Sequence, residues 1–163
     1  MAVKNPVGSR EPGAGSRCGS IVASLVCVAM VNLSAQGIQR INPPGLSKPA
    51  TYSHIVRAGK TLYIAGQLGS DEQGKVVGPG MVEQVEQALK NLQIALKSQG
   101  ADFSHVTRIT IYTTDVDAIR APDAAAVRAK YFGANLPAST LVGVTRLASL
   151  EYTVEIEATA VLP

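Results

Sequence analysis

The 163-residue chain is long enough for one domain that buries its own hydrophobic core. Its formal charge is +3, but residues 1–35 carry three basic residues against one acidic residue, which leaves a net charge of +1 for the remainder. Residues 36–163 are therefore nearly neutral and contain few aromatic residues. Because a nucleic-acid-binding protein usually has a basic surface, we expect no nucleic-acid partner.

The N-terminal segment 1–35 has the pattern of a secretory signal peptide. A basic region precedes a 13-residue apolar run, Ile21–Leu33, and the small residues Ser34 and Ala35 follow it. The run is too short to span a bilayer comfortably. We therefore predict export to the periplasm or secretion, with no membrane attachment after cleavage. The alternatives are an uncleaved anchor, or a misassigned start codon and a cytoplasmic protein.

The residues that commonly bind metals give no metal-site pattern. Cys18 and Cys27 both lie in the predicted signal peptide, so the mature protein would have neither a disulfide nor a thiolate ligand. His54 and His105 are far apart and lack metal-ligand spacing, and we interpret both as ordinary residues at strand edges. We predict no metal site.

Residues 36–50 form a polar lead-in that contains three prolines, and residues 51–163 form the folded domain. A loop at Gly69–Gly80 precedes the clearest helix, Met81–Ser98, whose apolar residues recur every three to four positions. Pro122 begins a second helix that ends at Phe132. Five segments have strand character: Tyr52–Ala58, Thr61–Gln67, Val106–Thr113, Thr140–Leu147 and Tyr152–Val161.

The last strand has two chemically different faces. Its apolar residues alternate with Glu155, Glu157 and Thr159, so the two carboxylates share one face. A solvated outer face and a ligand pocket both fit this pattern.

The element order β-β-α-β-α-β-β predicts an α+β fold with a mixed β-sheet and two helices on one face. Because no further helix is available for the other face, we also expect oligomerisation.

Several motifs occur in the order that is found in one known family. They are YSHIVRAGKTLYIAGQLG at Tyr52–Gly69, then KSQGADFSHVTRITIYTTD, NLPAST, VGVTRL and VEIEATAV. In these motifs the chain resembles the reactive-intermediate deaminase family, also called RidA, YjgF or translation-inhibitor L-PSP, over residues 41–162. The resemblance implies a chorismate-mutase-like fold and a homotrimer with small-molecule clefts between its subunits.

The resemblance also implies an activity without a metal or organic cofactor, the hydrolysis of a 2-imino acid or its enamine to a 2-keto acid and ammonia. By position in the motifs, Glu155 would hold the attacking water, with Glu157 as its neighbour on the same face. Tyr52 and Gly66 would contact the ligand through an aromatic ring and the backbone, and Ser139 and Thr140 through the NLPAST motif. A ligand-contacting asparagine of the family falls at Ala125.

Ser139 is where the chain departs from the family. Active members read P-A-R-S, and their arginine binds the substrate carboxylate, whereas this chain reads P-A-S-T. Loss of such an anchor costs about 2–5 kcal/mol, roughly 30- to 5000-fold in binding. We therefore predict weak or no activity on simple 2-imino acids. Arg57, Arg108 or Arg146 could replace the anchor, although strand alternation places Arg146 on the opposite side from Ser139.

Three functional hypotheses follow. The chain is an exported homotrimer whose cleft binds a neutral or less acidic ligand and hydrolyses an imine-like substrate through Glu155. Alternatively, it is a 2-iminobutanoate/2-iminopropanoate deaminase with a relocated anchor. The third hypothesis is a non-catalytic ligand-binding or regulatory trimer.

Overall fold

The structure, a computed structural model, describes residues 37–163. The predicted signal peptide lies outside the described residues. These residues form a six-stranded sheet with helices on one face. The elements in chain order are β1 Gln39–Ile41, β2 Ile55–Ala58, β3 Thr61–Leu68, α1 Met81–Lys97, a 3₁₀ turn Phe103–His105, β4 Val106–Thr113, α2 Val116–Arg120, α3 Pro122–Phe132, β5 Ala138–Gly143 and β6 Val154–Val161.

The sheet is mixed, with spatial order β1-β2-β3-β6-β4-β5. The final strand, β6, lies inside the sheet and pairs antiparallel with both β3 and β4. Strand β5 forms one edge and pairs parallel with β4, because α2 and α3 return the chain to the same end of the sheet. The α+β fold predicted from the sequence is confirmed, including the helices on one face.

Helix α1 packs on the centre of the sheet through its apolar stripe. Leu89 and Leu92 on α1 and Val154 and Ile156 on β6 are fully buried in the same core. The helix ends one residue earlier than predicted, with Ser98 as its C-cap. Gly100 follows with φ of +70°, the left-handed conformation expected of a residue that stops a helix.

Several details differ from the sequence prediction. Strand β2 begins at Ile55 rather than Tyr52, and β3 ends at Leu68 rather than Gln67. The segment 36–50 is more than a lead-in, because β1 lies within it and pairs with β2. A third, short helix, α2, begins after Asp115, whose side chain accepts a hydrogen bond from the Ala118 N–H and caps it. Strand β5 begins at Ala138 and ends at Gly143, earlier than predicted at both ends. Strand β6 begins at Val154 rather than Tyr152.

The sheet face opposite the helices carries polar and aromatic side chains. Tyr63, at the centre of this face, is 54% exposed. Arg108, Glu157 and Thr159 lie around it and line a shallow cavity of about 310 Å³. We call this surface the open face, because no described element packs on it.

None of the described helices has the length and apolar character needed to cross a membrane.

Candidate functional site

Glu155 and Glu157 lie on the open face of β6, as strand alternation predicts. The residues between and beside them are buried on the helix-covered face. On the neighbouring strand β4, Tyr112 pairs with Glu155 and Thr110 with Glu157. The Tyr112 hydroxyl donates a long hydrogen bond of 3.5 Å to Glu157 Oε1. Both carboxylates are therefore held on a rigid central strand.

The surroundings of Glu155 shift the pKa of its carboxyl group. Partial burial raises its pKa above the usual value for a glutamate, and the negative charge of Glu157 raises it further. A carboxylate with a raised pKa is a stronger base once it is ionised, which suits a group that takes a proton from water.

Gly66 lies directly beneath the Glu155 side chain. The pairing of β3 with β6 shifts register between Ile64 and Gln67, so Gly66 lies in a bulge of β3. A Cβ atom at Gly66 would overlap Glu155 Oε1 and would lie 2.6 Å from Glu155 Cδ. Only glycine therefore leaves space for the carboxylate in this position. The structure brings together Glu155 and Gly66, two of the predicted site residues.

Tyr52 and Gly66 line a cavity of about 190 Å³ beside this bulge. The Tyr52 side chain is 51% exposed, and its ring lies edge-on to His54 at a centroid distance of 5.5 Å. Tyr52 therefore stands at the mouth of the cavity with Gly66 in its wall. The other lining residues are Leu46, Ser47, His54, Gln67, Leu68, Ser70, Asp71, Gly74, Asn91, Ala148 and Tyr152.

His54 is buried, which its interpretation as an ordinary strand-edge residue did not predict, whereas His105 directly precedes β4. His54 is only 3% exposed and precedes β2. Its Nε2 lies 2.7 Å from the Ser47 carbonyl oxygen, and its Nδ1 lies 3.4 Å from the Gln67 side-chain nitrogen. These partners fit the neutral ring with the proton on Nε2. His105 closes the 3₁₀ turn by a capping box with Asp102.

Ser139 lies on the helix-covered side of the sheet. It pairs with Ile109 of β4, and both residues line a cavity of about 340 Å³ between β4, β5 and α3, which we call the α3 cavity. Because Glu155 lies on the open face, Ser139 and Glu155 of one chain are separated by the sheet. The α3 cavity is lined by Ile109, Ile111, Ala125, Arg128, Ala129, Phe132, Leu136, Pro137 and Ser139.

Thr140 lies on the open face, unlike its neighbour Ser139. It pairs with Thr110, and its hydroxyl accepts a hydrogen bond of 3.3 Å from Arg108 Nη2. Arg108 lines the open-face cavity together with Glu157. Thr140 therefore lies on the same face of the sheet as Glu157, whereas Ser139 lies on the opposite face.

None of the three arginines considered from the sequence lies beside Ser139. Arg57 lies on β2, which three other strands separate from β5, and its Nε donates to the Gly59 carbonyl oxygen at 3.0 Å. Arg108 lies on the opposite face, and Arg146 is exposed beyond the end of β5.

The arginine that lines the α3 cavity is instead Arg128, on helix α3. Sequence reasoning missed it because an arginine in a surface helix is usually solvated. The available signal was its position, three residues after Ala125, which places both on the same face of the helix.

Among residues 37–163, no group of three or more His, Cys, Asp or Glu side chains could hold a metal ion.

The fold and these clefts define an α+β protein with small-molecule-sized cavities on both sides of a central sheet. The family profile described as Endoribonuclease L-PSP matches residues 45–162. The chain belongs to this family, also known as RidA or YjgF, as the sequence motifs predicted.

Similar proteins carry the names of imine deaminases. The human 2-iminobutanoate/2-iminopropanoate deaminase is 34% identical over 133 residues, which cover 81% of this chain and 93% of that protein. The mouse protein of the same name is 39% identical over 111 residues, covering 68% and 80%.

Solved structures give the same fold. A member of the YjgF/YER057c/UK114 family from Mycobacterium tuberculosis is 33% identical, with a TM-score of 0.62 over 72% of this chain and 98% of that chain. Yeast Mmf1, at 23% identity and a TM-score of 0.72, covers 78% of this chain and 100% of its own; it bears on the fold alone.

Proposed function

We propose that this protein hydrolyses imine- or enamine-like small molecules and that Glu155 holds the attacking water. The observation that carries this proposal is the position of the Glu155 carboxylate, which lies over the backbone of Gly66 beside the Tyr52 cavity. Burial raises the pKa of this carboxyl group. The deaminase names of the relatives support the same class of reaction.

The reaction needs one water and one proton acceptor. The water oxygen attacks the carbon of the C=N bond while Glu155 takes a proton from the water, and Glu155 then donates this proton to the nitrogen. In the resulting carbinolamine, Glu155 takes the hydroxyl proton and passes it to the amino nitrogen, so the C–N bond breaks, ammonia leaves and a carbonyl group remains. An enamine first takes a proton on carbon to become the imine. No electron transfer occurs, so the residues described above are chemically sufficient.

We propose further that activity on the smallest 2-imino acids is weak. Ser139 has a short neutral side chain, which neither reaches nor neutralises a carboxylate as an arginine would. The two alternatives remain a 2-iminobutanoate/2-iminopropanoate deaminase with a relocated anchor, and a non-catalytic ligand-binding trimer. The near-neutral body supports our expectation that nucleic acid is not a partner.

We propose that the working form is a homotrimer with the site between subunits. Two observations support this arrangement. The open face exposes Tyr63 and other side chains that no described element covers. Ser139 and Glu155 lie on opposite sides of the sheet within one chain, so a site that contains both requires two chains. Size-exclusion chromatography with light scattering tests the assembly, and a monomeric mature protein would contradict it.

Export by the segment 1–35 remains a proposal as well. Expression of the full-length chain, followed by N-terminal sequencing of protein from the culture medium or the periplasm, tests it. We expect a mature N-terminus near Gln36. Recovery of the uncleaved chain from the cytoplasm would contradict export without bearing on the activity.

The experiment that tests the function measures ammonia release from imines generated in situ by an amino-acid oxidase, corrected for uncatalysed hydrolysis. We expect Glu155→Gln to lower the rate at least 100-fold. For 2-iminobutanoate, we expect a low rate for the wild type and a gain of about tenfold or more for Ser139→Arg. A wild type that is already fast on 2-iminobutanoate would overturn our interpretation of Ser139. If neither the wild type nor any variant hydrolyses any of the imines, the result would favour the non-catalytic ligand-binding trimer.

A further inference from the structure

We propose that Arg128 binds the carboxylate of the substrate and that the α3 cavity selects 2-imino acids with bulky apolar side chains. This inference rests on the proposed function, because it names the substrate class of that site. It also explains how a chain with Ser139 in place of arginine could still bind an acid.

Arg128 is half-buried on helix α3 and lines the α3 cavity, as Ser139 does. The cavity volume of about 340 Å³ lies at the lower end of the range typical of small-molecule sites. Apart from Arg128 and Ser139, every lining side chain is apolar. A single cation in an apolar cavity fits a ligand with one anionic group and an apolar body.

The guanidinium is fixed in place and retains free donors. Its Nη1 donates to the carbonyl oxygens of Ile119 at 2.6 Å and Ala124 at 3.3 Å. These two bonds leave Nε and Nη2, which form the second two-donor edge of a guanidinium and match the two oxygens of a carboxylate. Because backbone groups already hold the side chain, little conformational freedom is lost when a ligand binds.

The electrostatic surroundings of Arg128 also favour an anion. No carboxylate of residues 37–163 lies within 4 Å of the guanidinium. Burial lowers the pKa of Arg128, although an arginine stays charged at neutral pH. A half-buried charge without a counter-ion is poorly solvated, and a bound carboxylate would compensate it.

The size of the cavity sets the expected preference among acids. The ethyl group of 2-iminobutanoate is small compared with a cavity of about 340 Å³ whose walls include Phe132 and Ile109. A branched or aromatic side chain buries several more methylene equivalents against these walls. We therefore expect the acids derived from leucine or phenylalanine to bind more tightly than the shortest ones.

A purely structural role for Arg128 must be separated from ligand binding. The bond to Ile119 joins α2 to α3, so loss of the side chain could loosen the two helices without any effect on a ligand. The ligand's own charge separates the two roles. A structural defect weakens a carboxylate and its uncharged ester alike, whereas loss of the anchor weakens only the carboxylate.

The test is calorimetric titration of the mature protein with 4-methyl-2-oxopentanoate, its methyl ester and pyruvate. We expect the wild type to bind 4-methyl-2-oxopentanoate about tenfold more tightly than pyruvate. Arg128→Gln should weaken the carboxylate roughly 10- to 100-fold and leave the ester unchanged. Arg146→Gln, which removes an exposed arginine outside the cavity, is the matched control and should bind as the wild type. An equal loss for acid and ester, or no loss, would overturn the proposal.

Two further variants keep the proposal testable if Arg128→Gln does not fold. Arg128→Lys retains the charge but not the two-donor edge, and we expect an intermediate affinity for the acid. Ala125→Leu fills part of the cavity, so it should weaken 4-methyl-2-oxopentanoate at least fivefold more than pyruvate. If Ala125→Leu weakens both acids equally, the proposed selection by size is wrong, and if it weakens neither, the cavity is not the binding site.

The titration separates this inference from the proposed function. If the acid binds in an Arg128-dependent manner but no imine is hydrolysed, the role of Arg128 is supported and the proposed reaction is overturned. Hydrolysis that is unaffected by Arg128→Gln would overturn the anchor alone.

Discussion

At the scale of single residues, the contact between Glu155 and Gly66 is the arrangement on which the proposed chemistry depends. The carboxylate occupies the space that a side chain at position 66 would take, and the bulge in β3 makes this approach possible. Sequence reasoning marked both residues through the family motifs. Their contact could not be predicted, because it depends on a register shift between strands that are distant in sequence.

Gly66→Ala should separate positioning from folding. The added methyl group displaces the flexible end of Glu155, so we expect kcat for imine hydrolysis to fall about tenfold or more. The expected loss of stability is below about 1 kcal/mol, because Glu155 can swing aside without moving the backbone. Steady-state kinetics and urea unfolding measure the two effects. Unchanged kcat in a folded variant would contradict the role of this contact.

The pH dependence reports on the pair Glu155 and Glu157. Burial, and then the charge of Glu157, raise the pKa of Glu155, and the proposed reaction needs the ionised form. Activity should therefore fall with decreasing pH at a higher pH than for an ordinary glutamate. Glu157→Gln removes the repulsion, lowers the pKa of Glu155 and should shift this acid limb of the profile to lower pH. Glu151→Gln, at an exposed position, should not shift it.

Ser139 and Thr140 show what strand parity can and cannot establish. Alternation along β5 gives opposite faces to these neighbours, and the structure confirms that separation. Which of the two shares a face with Glu155 depends on the register between β4, β5 and β6, and this register is not encoded in either strand alone. The same limit explains why His54 was interpreted as a strand-edge residue, since its burial comes from Ser47 and Gln67.

At the scale of elements, helix α3 is held against α1 by a polar contact. The Tyr131 hydroxyl donates to Glu86 Oε1 at 3.0 Å, and Lys130 Nζ lies 3.2 Å from the same atom. Burial, followed by the bond to Glu86, raises the pKa of Tyr131 to about 12. Although burial opposes it, the bonds from Tyr131 and Lys130 lower the pKa of Glu86. This contact orients the helix that carries Arg128.

Tyr131→Phe removes the hydroxyl from this contact. We expect the free energy of unfolding to fall by about 1 kcal/mol at pH 7, because a partly buried hydrogen bond to a carboxylate is lost. Because the pKa of Glu86 is lowered on folding, the difference should disappear as the pH falls below the usual range of a glutamate. Denaturant titration at several pH values measures it. Lys130→Met, which removes an exposed ion pair, should cost only a few tenths of a kcal/mol.

The helices and strands were largely predictable, because each has its own periodicity. Helix α1 carries an apolar stripe and β6 alternates strictly, and both lie within two residues of the predicted bounds. Strand β1 and helix α2 were missed because three and five residues are too few to show a period. Arg128 was missed because no sequence pattern distinguishes a guanidinium in a cavity wall from a solvated one.

At the scale of the whole molecule, the two halves of the proposed site lie on opposite sides of one sheet. The α3 cavity lies at the β5 edge, whereas Glu155 lies on the open face of β6. If one ligand contacts both, it does so between two chains. Arg128 of one subunit would then bind the carboxylate while Glu155 of its neighbour holds the water.

The most direct test of this account is activity of mixed oligomers, assembled by co-expression of Arg128→Gln and Glu155→Gln chains carrying different tags. The substrate is the 2-imino acid formed from leucine, and ammonia release is measured. Each variant alone should be nearly inactive. The whole co-expressed population should recover about one quarter of the wild-type rate, because random assembly at equal amounts leaves roughly one interface in four intact on both sides. Mixed oligomers no more active than the separate variants would contradict a site shared between chains.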